Sequence, residues 1–140
     1  MDPVSQLRTA LLPVLQDWER ELRREYPDVT TIICDSSVGS RTDWNGHIIG
    51  IECLLKESRP DLPDHVALSV SLKHLHKAPS LVHADVVWGH PSGYIEASVL
   101  PACVEFSRDR LADLIKRLPE LFTALKQALR RGQPLSLMNR

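Results

Sequence analysis

The chain has 140 residues, 43% of them apolar and 25% charged, with 17 basic and 18 acidic side chains and a formal net charge of −1. A chain of this size buries roughly 68–70% of its unfolded surface, so it can hold a core without metal or disulfide, and the composition excludes low-complexity disorder. The balanced charge leaves no general basic excess to hold a phosphate backbone, so nucleic acid is not an expected partner.

The first segment, Pro3 to Tyr26, spaces Leu7, Leu11, Leu15, Trp18, Leu22 and Tyr26 three and four apart, the stripe of an amphipathic helix. Pro13 removes one internal hydrogen bond and is expected to kink or restart that helix, and Pro27 ends it. Strand-like runs follow. The first covers about Val29 to Val38. Asn45-Gly46 reads as a two-residue hairpin turn, because both residue types tolerate positive φ. That turn sets Trp44 opposite His47 and Val38 opposite Cys53. The second strand, His47 to Leu55, carries the apolar set Ile49, Ile51, Cys53 and Leu55. Lys56 to Asp64 is a loop interrupted by Pro60 and Pro63.

The third strand, His65 to Leu75, alternates Val66, Leu68, Val70 and Leu72 with Ala67, Ser69, Ser71 and Lys73. After a turn at Lys77 to Ser80, the fourth strand, Leu81 to Trp88, carries Val82, Ala84, Val86 and Trp88. Gly89 to Gly93 reads as a second hairpin, and a four-residue loop, His90 to Gly93, sets Trp88 opposite Ile95. The fifth strand runs from Tyr94 to Leu100, with Ile95, Ala97 and Val99 as its apolar set, and Pro101 is expected to end it. The last helix starts at Ser107 as N-cap and carries Leu111, Leu114, Leu118, Leu121, Leu125 and Leu129, in phase across Pro119. Arg130, Arg131 and Gly132 make its stop, and Gln133 to Arg140 is expected to be a flexible tail.

The expected fold is therefore a two-layer α+β domain over residues 1–132. It has a five-stranded, largely antiparallel meander sheet with the N- and C-terminal helices packed on one face. Two helices cover one side of such a sheet, so the second face is open or used. That open face is expected to carry Asp35, Ser37, Glu52, Ser69, Ser71, Lys73, His83, Asp85, Glu96 and Ser98, together with Ile33, Leu54, Val87 and Tyr94.

The chain contains no P-loop, GxGxxG, GxSxG, HExxH, CxxC or EF-hand pattern. Three cysteines, Cys34, Cys53 and Cys103, form an odd set without metal spacing and suit a reducing compartment. With no signal-peptide pattern and no apolar run of about 18–20 residues, the expected location is cytoplasmic and off the membrane. Candidate chemistry lies in two places. His74 and His76, two apart on a strand, with His47, Asp43 or His83 on the same sheet edge, are the candidate metal ligands. Zinc needs three or four converging donors, of which only the His74–His76 pair is supported by spacing, and scattered surface histidines account for the pattern better, so no cofactor is expected. His83, Asp85 and Glu96 on the open face are the candidate catalytic set, since a base–acid pair suits hydrolytic work, but no nucleophile accompanies them. Tyr94, Glu96, Asp85, His90 and Arg59 are the candidate binding residues, from the open face and its adjoining loops.

These features point to a non-enzymatic accessory protein that binds a protein partner, or a second copy of itself, through the open sheet face. The size and layout resemble those of small bacterial accessory proteins such as toxin-immunity proteins and secretion chaperones, a likeness of fold alone. The rival expectation is a metal-dependent or hydrolytic enzyme at the His-rich edge. A third, a small-ligand module between helices and sheet, needs a pocket of roughly 300 Å³ or more.

Overall fold

The structure is a computed structural model and describes residues 2–38, 44–55, 65–75, 80–88 and 94–131; at 38, 44, 45, 75, 88, 94–96, 101–103 and 131 the description is of the backbone. The described elements follow in the order α1 (Pro3–Glu25), β1 (Thr30–Val38), β2 (Trp44–Leu54), β3 (His65–Leu75), β4 (Leu81–Trp88), β5 (Tyr94–Glu105) and α2 (Arg108–Arg131). The strands form one sheet in the order β1-β2-β3-β4-β5, each antiparallel to the next. α1 packs on β1 and β2, and α2 packs on β3, β4 and β5. The expected two-layer α+β meander with both helices on one face is thus the observed architecture. No described helix is long and apolar enough to cross a membrane.

Both helices continue through their prolines, at Pro13 and Pro119. An interior proline costs about 3 kcal/mol. Leu7, Leu11, Leu15 and Leu22 of α1 are each at most 1% exposed, and burying one leucine contributes about 1.5–3 kcal/mol. Four such leucines outweigh the local cost. Leu114, Leu118, Leu121, Leu125 and Leu129 do the same for α2. The caps are side-chain made. Asp2 Oδ1 accepts from the Ser5 N–H at 2.8 Å, and Ser107 Oγ accepts from the Arg110 N–H at 3.1 Å, as its N-cap reading requires. Where the helices meet, the Trp18 ring stacks on Phe122 with centroids 4.4 Å apart. Lys126 Nζ lies 4.7 Å from the Phe122 centroid and pairs with Glu21 and Glu25 at 3.4 and 3.2 Å.

The covered face of the sheet carries Ile49, Ile51 and Cys53 from β2, Val66, Leu68, Val70 and Leu72 from β3, and Val82, Ala84 and Val86 from β4, all buried. These are the sets that alternation predicts. β1 differs. Its register runs from Thr30↔Leu54 to Val38↔Gly46, and Asn45 and Gly46 lie inside β2, opposite His74 and Lys73 of β3. The expected Asn-Gly turn is therefore corrected, and the connecting residues 39–43 lie outside the described ones. The physical reason is that β2 aligns its Ile49, Ile51 and Cys53 with Val70, Leu68 and Val66 of β3, and that ladder carries β2 straight through the Asn-Gly pair. A register change by an odd number reverses the faces of the partner strand. Ile49 now faces Asp35 and Ile51 faces Ile33, so Thr31, Ile33, Asp35 and Ser37 lie on the helix side and Ile32, Cys34 and Ser36 take the open face. Asp35, Ser37 and Ile33 are thereby moved from the face on which they were expected.

At the other edge, β5 passes Pro101 and continues to Glu105. An edge strand needs no ladder N–H on its outer side, so proline is tolerated there. The passage is irregular. The register shifts between Val82↔Val104 and Ala84↔Val99, and Leu100 takes φ 70°, a conformation that costs a non-glycine residue roughly 1–2 kcal/mol. A second shift between Val86 and Val87 sets Val87 opposite Ile95 and Trp88 opposite Tyr94. The expected pairs Trp88–Ile95 and Val87–Glu96 do not form, because Glu96 falls at the irregularity, whereas Asp85 faces Ser98 as expected.

Candidate functional site

With both helices on one side, the opposite face of the sheet presents the alternate residues of every strand. One row crosses it as Cys34–Gly50–Ser69–Asp85–Ser98, a second as Ser36–Ile48–Ser71–His83, and a third begins Ile32–Glu52–Ala67–Val87. Ile32 is 45% exposed and Leu54 38% exposed. The face is therefore mixed, with aliphatic groups and hydroxyls side by side and acids at Glu52 and Asp85.

Its relief comes from Gly50. A Cβ at this position would collide with the Leu68 carbonyl oxygen and crowd the Ser69 Cα, so β2 and β3 approach here as only glycine allows. The missing side chain leaves a half-open hollow of about 220 Å³ floored by Gly50. Cys34, Ser36, Ile48, Glu52, Ala67 and Ser69 line it. Cys34 Sγ stands 4.0 Å from a Glu52 carboxylate oxygen. Burial, reinforced by Glu52, raises the Cys34 thiol above its ordinary value, and burial pushes Cys53 up to about 12. Both shifts disfavour the thiolate, the form in which a cysteine acts as a nucleophile.

On β4, His83 Nε2 lies 3.3 Å from Asp85 Oδ2. Burial raises the Asp85 carboxyl above its usual value, against the opposing pull of His83. His83 Nδ1 is buried and has no hydrogen-bond partner among the described residues. The sequence-expected pair of His83 and Asp85 is thus brought together. Glu96 and Tyr94 lie on β5, where the backbone alone is described, and His90 and Arg59 lie outside the described residues.

The histidines of the opposite edge are separated. His47 lies on the helix side, its Nε2 2.5 Å from Asp35 Oδ1, while His74 Nδ1 lies 2.8 Å from Ser80 Oγ. His76 lies outside the described residues. No group of three His, Cys, Asp or Glu among the described residues is arranged to hold a metal ion. Asp35 also accepts from Arg8 Nε of α1 at 2.9 Å. The hydrogen bond from His47 lowers the Asp35 carboxyl below its ordinary value, with help from Arg8. Pattern reading placed Asp35 on the wrong face and so missed this Arg8–Asp35–His47 cluster. The Gly50 hollow was also missed, and its signal in the sequence is a glycine set inside the aliphatic run Ile48 to Ile51.

No family model, curated protein or solved structure matches this chain.

Proposed function

We propose that the chain is a small accessory protein, at work in a reducing compartment such as the cytoplasm, that binds a protein partner through the open face of its sheet. The observation that carries this reading is the face itself. Ile32 and Leu54 are both exposed on it beside a preformed hollow, and mixed aliphatic–hydroxyl surfaces with a concavity suit protein recognition. The two edges also differ. β5 is interrupted by Pro101 and two register shifts, devices that discourage pairing with another chain. β1 pairs regularly with β2 along its whole length and contains neither proline nor lysine. The Ile32 side of the face is accordingly the side on which a partner would seat.

The test compares tagged wild type with Ile32→Lys and Leu54→Lys in affinity purification from source cells, with sedimentation velocity reporting self-association. Both variants are expected to melt within a few degrees of wild type, since exposed substitutions change stability by about ±0.5 kcal/mol, and to lose a chain that wild type carries stoichiometrically. Retention of that chain by both variants would overturn the reading. The same loss seen for a second copy of this chain would identify the partner as self.

The 3.3 Å His83–Asp85 contact favours a second reading, hydrolysis with His83 as general base. Ser71 stands opposite His83 in the ladder. Labelling of Ser71 by a fluorophosphonate, lost in His83→Ala, would establish it, and inertness of Ser71 would remove it.

A further inference from the structure

Resting on the reading of the open face as a protein-binding surface, we infer that the hollow over Gly50 is a socket for one cationic side chain, lysine or arginine, carried by the docking partner. Size is the first argument. At about 220 Å³ the hollow is smaller than the roughly 300–1,000 Å³ of pockets that enclose small-molecule ligands. It suits a single anchoring side chain, the usual unit of recognition at protein interfaces.

The lining selects which side chain. Ile48 and Ala67 offer aliphatic walls for a methylene stem, and Ser36 and Ser69 offer hydroxyl acceptors. Glu52 supplies a carboxylate, and among the described residues the contact it makes within the hollow is the distant one from the Cys34 thiol at 4.0 Å. Among the described residues no cation lies within ion-pair distance of Glu52. Lys73 shares the open face, but it stands six positions along β3 from Ala67, the residue opposite Glu52. At about 3.3 Å per residue that is roughly 20 Å away. Asp85 lies in the same cross-strand row as Gly50, two strands over, but it is already in contact with His83 at 3.3 Å, so Glu52 is the carboxylate that the hollow offers. An apolar side chain could fill the walls but would bury the carboxylate unpaired, at a cost that a charge-assisted hydrogen bond removes. Long basic side chains match both halves, since their stems lie on apolar surface while the charged head reaches a polar group.

The test uses N-acetyl-arginine amide as probe and N-acetyl-leucine amide as control, titrated into ¹⁵N-labelled full chain and followed by amide shifts. The arginine derivative is expected to move the amides of Gly50, Glu52 and Ser69 saturably, and Glu52→Gln to weaken that binding by about tenfold, the loss of one charge-assisted contact, with the rest of its spectrum unchanged. Ser69→Met, which fills the hollow and keeps Glu52, is expected to abolish it. Equal shifts from the leucine derivative, or undiminished arginine binding in Glu52→Gln, would overturn the socket. The two readings fail separately. A partner lost by Ile32→Lys yet held at full affinity by Glu52→Gln leaves the face standing and removes the socket, whereas a partner held by both removes the face.

Discussion

Asp35 shows how far a single side chain departs from its place in the pattern. It reads as a solvent-face acid on an alternating strand, yet it is the tie between the sheet and α1, accepting from Arg8 and His47 at once. Its carboxyl is held below the ordinary value, so the folded state favours the ionised form. A depressed carboxylate contributes stability that is present above its unfolded value near 4 and is lost as pH falls through the lower folded value. Asp35→Asn should therefore cost about 1.5–3 kcal/mol at pH 7, the range for hydrogen bonds to a charged group. The gap between variant and wild type should close below about pH 4, as the wild-type carboxyl takes up its proton. Urea denaturation at pH 7, 5 and 3 reads this directly, and a gap independent of pH would show that the cluster contributes shape and not charge. Such a tie was not legible because it depends on which face the first strand presents, and that depends on a register set by another strand. Gly50 was unread for a related reason. A glycine in a strand signals a close approach, but only the neighbouring backbone says from where.

Among the elements, legibility followed the range of the signal. Helix stripes and the alternation of β2, β3 and β4 are local periodicities reinforced by burial, and each carried through, with the α2 stripe in phase across Pro119; α1, for which Pro13 left a kink or a restart open, runs on as one helix. The N-cap at Ser107 is equally local. The Asn45-Gly46 turn failed because a local turn preference of this kind competes with an eleven-residue ladder between β2 and β3, and the ladder wins. The contact between helices was also hidden. Phe122 lies beside the leucine stripe of α2, but it stacks on Trp18 almost parallel, at 2° between planes, under the ammonium of Lys126. Phe122→Ala should destabilise by about 3–5 kcal/mol, as for a buried aromatic truncated to a cavity. In a double-mutant cycle with Trp18→Ala, the coupling should be about 0.5–1.5 kcal/mol beyond the separate losses. Strict additivity in the chemical-denaturation midpoints would mean that the rings contribute area and not a specific pairing.

For the molecule as a whole, the consequence of placing both helices on one side is that neighbouring residues of one strand meet opposite fates. Leu68 is fully buried against the helices, while Ser69 points to the other side and lines the hollow. Leu68→Asp should abolish the cooperative transition, because a carboxylate without a partner in that core carries a penalty of several kcal/mol, a large part of the roughly 5–15 kcal/mol by which a domain is stable. Ser69→Lys should fold. Its ammonium enters a surface that already holds Glu52 and Asp85, so its charge is met by opposite charge and its stem by Ala67 and Ile48. The same ammonium occupies the space offered to a partner, so this variant should keep its melting temperature to within a few degrees while losing the partner chain. Thermal melts by circular dichroism and sedimentation of the complex separate the two effects. A Ser69→Lys chain that unfolds like Leu68→Asp would mean that the second face is also sealed within the native assembly. In that case the sheet would be a buried layer and its partner a permanent part of the fold.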